Sequence, residues 1–223
     1  MPGHIRMRIL PFALAGLSVY GCAITPDEPA LPSQAIGIPP GWQGAVGSPV
    51  AYEIGLDHID RHSGHSSAYI AGPRFITPDF GILSQPVRAD NYRGKRVRLS
   101  AWVKGRALVG PIAGLWMRVD GAGVVTAYDN MQDRAESGTT DWHQVSIVLD
   151  VPVDALGIVI GAMRQGGGTL FIDDMKLETV GESVPSTNMF DAPVANSIDP
   201  ATTMAIYFNA AAGPTNADFE RTP

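Results

Sequence analysis

The chain has 223 residues, of which 16 are basic and 22 acidic, and its formal net charge is −6. With this excess of acidic residues we expect no nucleic-acid partner, because neutralising phosphates requires clustered lysine and arginine. Cys22 is the single cysteine, so no intrachain disulfide can form and stability must come from a core. The length fits one all-β domain with tails.

Residues 1–21 have the pattern of a secretory signal peptide. Arg6 and Arg8 precede an apolar run over residues 9–20, and a small residue, Gly21, follows it. The apolar run is too short to span a bilayer as a helix. The alternatives are a plain signal peptide with an incidental cysteine and an N-terminal apolar strand.

The segment Val19-Tyr20-Gly21-Cys22 resembles the lipobox of bacterial lipoproteins, in which cleavage precedes the cysteine and its sulfur then carries a lipid. The resemblance implies an exported, membrane-anchored lipoprotein, at the outer membrane or on the periplasmic side if the cell is Gram-negative. Residues 22–40 are rich in proline and small residues, and we expect them to form a flexible tether.

Residues 41–181 show the texture of an all-β domain. Short apolar or alternating runs are separated by turn clusters such as Gly72-Pro73 and Gly166-Gly167-Gly168, a spacing typical of a β-sandwich. Helical periodicity is nearly absent, and residues 130–136 are expected to form at most one helical turn. The predicted strands span residues 50–54, 67–70, 81–88, 96–104, 114–120, 124–128, 143–150, 157–163 and 169–179.

Two of these strands alternate clearly enough to assign faces. Each places apolar residues on one face and a tryptophan among polar residues on the other, Trp102 in the first strand and Trp116 with Arg118 and Asp120 in the second. Tryptophan flanked by charge is typical of a binding surface. The alternative is that both tryptophans pack under loops as a second small core.

Residues 129–134 form the densest polar block of the domain. Carboxylate, amide and guanidinium groups beside an aromatic ring suit sugar hydroxyls and C–H faces. The alternative is an Asx-turn network in which Arg134 pairs with Asp133 or Asp120. The sequence predicts a ligand surface on one concave face, formed by Trp102, Trp116, Arg118, Asp120, Tyr128, Asp129, Asn130 and Arg134.

Several runs of the chain resemble jelly-roll carbohydrate-binding-like modules of the galactose-binding-like superfamily. They are Gly41-Trp42 and residues 62–68, 94–104 and 168–175, and they occur in the order seen in that family. Residues 116–120, 129–134, 138–142 and 148–152 are similar to runs in an uncharacterised bacterial domain of this type. The resemblance covers roughly residues 40–188 and implies an all-β, antiparallel jelly-roll β-sandwich.

The same resemblance implies a non-catalytic module that binds carbohydrate or cell-envelope glycan. The alternatives are a structural module that binds another envelope protein and a hydrolase of unknown type. His58, His62 and His65 have spacings that can bind metal on a helix, but Ser63-Gly64 interrupts them before a predicted strand. The chain has no GxSxG nucleophile elbow, so we expect no catalytic residue and no cofactor beyond calcium.

Asp173 and Asp174 lie within the last predicted strand, where related jelly rolls often place a structural calcium ion. Calcium prefers six to eight oxygen ligands, and Glu220 could contribute to such a set. The alternative is that these carboxylates are hydrogen-bonded or ion-paired within the protein.

The C-terminal extension, residues 182–223, contains a second pattern typical of the family. Residues 216–220, Asn-Ala-Asp-Phe-Glu, resemble the motif that usually begins the first strand of such modules. We expect residues 214–220 to fold back as an edge strand, with Glu220 near Asp173. The alternative is the start of a truncated second copy within a disordered tail.

Overall fold

The computed structural model describes residues 37–46, 52–73, 78–196 and 198–223, which fold as an antiparallel jelly-roll β-sandwich. This confirms the predicted fold class. The predicted signal peptide, Cys22 and most of the tether lie outside the described residues. The elements are β1 Gln43–Val46, β2 Glu53–Asp57, β3 Ser67–Gly72, β4 Gly81–Arg88, β5 Lys95–Asp120, β6 Val124–Asp129, β7 Gly138–Val151, β8 Gly157–Val180, β9 Val194–Ala195 and α1 Pro200–Phe208.

Strands β5 and β8 pair with each other along almost their whole length and pass through both layers of the sandwich. The N-terminal half of β5, residues 95–106, and the C-terminal half of β8, residues 168–180, belong to the first layer. Its strands lie in the order β2-β3-β8-β5-β7. The other halves, residues 112–120 and 157–165, belong to the second layer, in the order β1-β4-β8-β5-β6-β9. The sequence predicted each long strand as two separate ones.

The bend between the layers is held by Arg164, whose side chain is fully buried. Its guanidinium donates to the backbone carbonyls of Ile112 and Val109, at 2.8 and 2.7 Å, and to those of Gln165 and Gly167. The register of β5 against β8 shifts in the same stretch. Carbonyl groups that the bend removes from the ladder are therefore satisfied by one side chain.

The core lies between the two layers and follows the predicted alternation. Side chains at alternate positions of β5 point inward from both layers and are fully buried, which excludes water from the centre of the sandwich. They belong to Val97, Leu99, Ala101 and Val103 in the first layer and to Leu115, Met117 and Val119 in the second.

The C-terminal extension contains the helix that the sequence did not predict. Asp199 caps α1 by accepting hydrogen bonds from the amides of Ala201 and Thr202, and Pro200 occupies the first turn. Residues 130–136, where a helical turn was expected, form a turn without a helix. Among the described residues no helix is long and apolar enough to cross a membrane.

Residues 214–220 return to the sandwich but form no strand. The ring of Phe219 is fully buried and lies 5.1 Å from that of Trp42. The amide of Met175 in β8 donates to the carbonyl of Ala217 at 2.8 Å. The segment therefore packs into the core as irregular chain, where the sequence suggested an edge strand.

Candidate binding site

The outer face of the second layer carries an unusual row of polar side chains. Trp116, Arg118 and Asp120 alternate with the core residues of β5, and all three are at most 6 % exposed. Tyr128 of β6 lies opposite Arg118 on the same face. The predicted alternation is correct, but this face is covered rather than open to solvent.

Tyr207 of α1 covers the row. Its hydroxyl donates to Oδ2 of Asp120 at 2.6 Å, and Nη2 of Arg118 donates to the same oxygen at 2.8 Å. The tyrosine ring lies against Gly157 of β8, where an added Cβ would stand 2.0 Å from Cδ1 of the ring. Gly157 thus provides the space that the aromatic ring occupies.

Three polar atoms in this row have no hydrogen-bond partner among the described residues. They are Nε1 of Trp116, Nε of Arg118 and Oδ1 of Asp120, so the face presents two free donors and one free acceptor. Leaving a buried polar group unsatisfied costs about 1–3 kcal/mol. Arg164 and Asn196 each leave one such atom elsewhere among the described residues, whereas this row gathers three of them. Such a cluster indicates a place where a polar ligand would be stabilised.

The tyrosines of this face are poor acids. Burial and the neighbouring Asp120 carboxylate hold the pKa of Tyr207 well above its usual value. Burial raises the pKa of Tyr128 to about 12, although a hydrogen bond with Asn130 and the charge of Arg118 act in the opposite direction. Both hydroxyls therefore keep their protons at neutral pH and can donate hydrogen bonds.

The polar block at residues 129–134 forms an internal network. Asp129 is fully buried, accepts a hydrogen bond from the amide of Met131 and pairs with Arg134 at 2.6 Å. Asn130 accepts from the amide of Gln132, and Arg134 also pairs with Asp133. Because Tyr128 points to the outer face of β6, the next residue, Asp129, points to the opposite side. The structure therefore matches the Asx-turn alternative here.

Trp102 is not brought together with Trp116. It lies in the first-layer half of β5, opposite Asp173 of β8 and Gln144 of β7. Its ring stacks on that of His62 at 3.9 Å, and Trp142 makes an edge contact with the same histidine. The two tryptophans occupy the outer faces of different layers, so no single concave face contains the whole predicted set.

The three predicted calcium ligands bind protein donors instead. Asp173 accepts hydrogen bonds from the amides of His62, Ser63 and Asp174, and Glu220 from those of His65 and Ser66. Asp174 contacts the side chains of His62 and Ser63. Because donor hydrogens point at these carboxylate oxygens, the arrangement does not fit a cation site. In the part of the chain that the structure describes, no cluster of His, Cys, Asp or Glu could hold a metal ion.

Burial raises the pKa of Asp173, and the nearby Asp174 carboxylate adds to that effect, while the three amide hydrogen bonds lower it. Glu220 and Asp173 both approach the loop at residues 62–66, and each accepts hydrogen bonds from its backbone amides. The loop is thereby fixed by two carboxylates from distant parts of the chain.

Sequence reasoning missed Tyr207 and Phe190, which cover the outer face of the second layer. The ring of Phe190 stacks on that of Tyr128 at 5.3 Å. Both belong to the C-terminal extension, which has no strand alternation and, between residues 189 and 213, no family resemblance. Their aromatic character was the only available signal, and it does not show which surface they cover.

No family model matches the chain. It is 40 % identical over 151 residues to the uncharacterized HTH-type transcriptional regulator YbfP of Bacillus subtilis. The match covers 67 % of this chain and 51 % of the relative, so the chain spans about half the length of the curated protein it matches.

Two solved structures illustrate the range of similar folds. The Stig cyclase FisC from Fischerella sp. TAU has a TM-score of 0.49 at 14 % identity, over 65 % of this chain and 87 % of the cyclase. The CBM22-1 xylan-binding domain of Paenibacillus barcinonensis Xyn10C has a TM-score of 0.46 at 16 % identity, over 66 % and 90 %.

Proposed function

We propose that this protein is a non-catalytic module that binds carbohydrate, with cell-envelope glycan as the ligand class, on the outer face of the second layer. The observation that carries the proposal is the cluster of free polar atoms on Trp116, Arg118 and Asp120. A sugar hydroxyl is both donor and acceptor, so one ligand type can satisfy all three.

The aromatic rings beside these atoms support the same ligand class. Trp116 and Tyr128 lie with ring centroids 6.4 Å apart, next to the ion pair of Arg118 and Asp120. Apolar ring faces pack against the C–H faces of a sugar while the polar groups orient its hydroxyls.

The likeness to about half of a protein named as a regulator supports a binding role over a catalytic one. A ligand-recognition module can serve both an anchored protein and a larger regulatory chain, whereas the fold alone specifies no chemistry. Export and lipid attachment through Cys22 belong to the proposal, and the signal-like segment at residues 1–21 supports them.

Binding of another envelope protein is the second candidate function. Met204 and Phe208 of α1 are 59 % and 83 % exposed and lie four residues apart, on one side of the helix. Exposed apolar side chains of this size are typical of protein contacts. A pull-down that recovers an envelope protein with the wild type but not with Phe208→Ala would favour this function, provided that the wild type binds no glycan.

The test of carbohydrate binding is Trp116→Phe, with Trp102→Phe as the matched control. Calorimetry against xylohexaose, cellohexaose, a β-1,4-galactan oligosaccharide and soluble peptidoglycan fragments would identify the ligand at millimolar concentration. Trp116→Phe should weaken binding by up to about tenfold, because a neutral hydrogen bond contributes about 0.5–1.5 kcal/mol.

Trp116→Phe should lower the free energy of unfolding by about 1–3 kcal/mol, because the smaller ring leaves a cavity in a buried cluster although the indole N–H has no partner to lose. Trp102→Phe should leave glycan binding unchanged, because Trp102 lies on the other layer. Equal losses in both variants would argue against the proposed site. The absence of binding to every glycan, both by the wild type and by Tyr207→Ala, which removes the ring covering the row, would overturn the function.

A further inference from the structure

The C-terminal extension crosses the proposed binding face from one edge to the other, and we call its residues 187–196 and 198–211 the strap. At one end the amide of Thr187 donates to Val148 of β7, and that of Met189 donates to Tyr128 of β6. At the other end Ala211 bridges to Val87 of β4. Since β8 and β5 lie between β4 and β6, the strap passes over both central strands.

The strap places aromatic rings on the groups that would bind a glycan. Phe190 stacks on Tyr128, and Tyr207 inserts its ring beside Gly157. The Tyr207 hydroxyl binds Asp120 at 2.6 Å, as a sugar hydroxyl would. An apolar ring face with a hydroxyl at its rim has the chemistry expected of the ligand.

Tyr207 satisfies only part of the face. It occupies Oδ2 of Asp120, whereas Oδ1 of that carboxylate, Nε of Arg118 and Nε1 of Trp116 remain free. Buried polar groups are usually paired, so each of these three free atoms disfavours the closed state. The closed state is therefore stabilised less than a fully paired one would be.

The part of the strap that contains α1 buries few side chains. Strand β9 has two residues, and α1 has nine, of which only Thr203 and Tyr207 are buried. A helix of this length is marginally stable without tertiary packing. The strap should therefore open in a local transition with a free energy below that of global unfolding.

The chain that follows keeps an opened strap close to its site. Phe219 is buried in the core, and Asn216 accepts through its carbonyl a hydrogen bond from the indole of Trp42 at 3.0 Å. With both ends fixed, the strap competes with ligand as an intramolecular group at high effective concentration.

We propose that the strap is a self-inhibitory lid, in which Tyr207 occupies the carbohydrate site and must be displaced before a glycan binds. This inference rests on the proposed function. The apparent affinity of the wild type is then reduced by the fraction of molecules in which the strap is open.

The test compares Tyr207→Ala with Phe208→Ala in the full chain. Both changes remove an aromatic ring from α1, but the ring of Phe208 points to solvent. Calorimetry with the same oligosaccharides and peptidoglycan fragments should show at least tenfold tighter binding for Tyr207→Ala. Phe208→Ala should match the wild type, and Tyr207→Phe, which removes only the hydroxyl, should fall between them.

Hydrogen exchange tests the opening without any ligand. In the wild type, amides of residues 201–208 should exchange at least tenfold faster than those of residues 158–164 in β8. Tyr207→Ala should remove the remaining protection of α1 and leave β8 unchanged. Exchange of α1 and β8 at one common rate would overturn the lid, because the strap would then open only with the whole domain.

The binding outcomes separate the two proposals. If the wild type binds a glycan and Tyr207→Ala binds it no more tightly, the lid is overturned and the proposed function stands. If neither the wild type nor Tyr207→Ala binds any of the glycans, the proposed function is overturned, and competition by Tyr207 is overturned with it.

Discussion

Two buried charged side chains of the described residues, Arg164 and Asp173, make their hydrogen bonds to backbone groups. Arg164 donates to four carbonyl oxygens at the bend between the layers, and Asp173 accepts from three amides at the loop of residues 62–66. Charged groups make stronger hydrogen bonds than neutral ones, so each side chain fixes irregular backbone that the ladder cannot hold. The row on Trp116, Arg118 and Asp120 differs because three polar atoms without a partner lie together there, whereas Arg164 leaves only its Nε unpaired.

His143 gives a residue-scale prediction on pH. A hydrogen bond with the backbone carbonyl of Asp141 and the nearby Glu136 carboxylate raise its pKa above 6.5, against the effect of burial. The stability that this adds is fully present below the unfolded pKa of about 6.5 and is lost as pH rises through the folded value. In NMR titration, Glu136→Gln should lower the pKa of His143.

Asp141→Asn is the control for that titration, because the side chain of Asp141 is 96 % exposed and its backbone carbonyl stays in place. The assignment of the signal follows from its loss in His143→Gln. An unchanged pKa in Glu136→Gln would show that the contact at 3.1 Å between the two side chains does not persist in solution.

At the scale of elements, the long strands show why the sequence predicted interruptions. Residues 105–113 of β5 and 164–168 of β8 contain five of the chain's glycines and a proline, which are typical of turns. The two strands nevertheless remain paired through these stretches, with shifts of register. Bulges of this kind bend a strand without ending it. Glycine and proline in the sequence therefore indicate the bend, but they do not show that the strand continues beyond it.

The segment at residues 214–220 gives a prediction at the same scale. Phe219→Ala should lower the free energy of unfolding by about 3–5 kcal/mol, because it removes a fully buried ring and leaves a cavity beside Trp42. Urea-induced unfolding measures the change. Phe208→Ala, which removes an exposed ring, should cost less than about 0.5 kcal/mol.

A loss in Phe219→Ala no larger than that in Phe208→Ala would contradict the packing of this segment. It would favour a truncated second copy of the opening motif. Deletion of residues 210–223 gives the corresponding melting-temperature test, and we expect a pronounced loss of stability.

At the scale of the molecule, we expect the tether at residues 22–40 to attach the protein to the membrane and the β-sandwich to bind the ligand. Cys22→Ser should release the protein from membranes into the soluble fraction, because a lipidated sulfur is then absent. The melting temperature and glycan affinity should stay at wild-type values, since the sandwich begins well after Cys22. Membrane fractionation followed by blotting measures the release.

Ala23→Ser is the control for this change, because it alters the neighbouring residue and keeps the cysteine. Retention of Cys22→Ser in membranes would count against the lipid anchor. It would instead support attachment through the uncleaved apolar segment or through a protein partner.

The sequence by itself determined the all-β class, most strand positions and the two faces of β5, because alternation and turn residues are local signals. Only the tertiary structure decided which polar groups meet. It separated Trp102 from Trp116 by layer, sent Asp129 to the side of β6 opposite Tyr128, and filled the calcium-like site with amide donors. It also placed Tyr207 over Asp120, 87 residues away in the chain. Contacts over such distances depend on how the layers bend and where the tail returns, and neither is encoded in a local pattern.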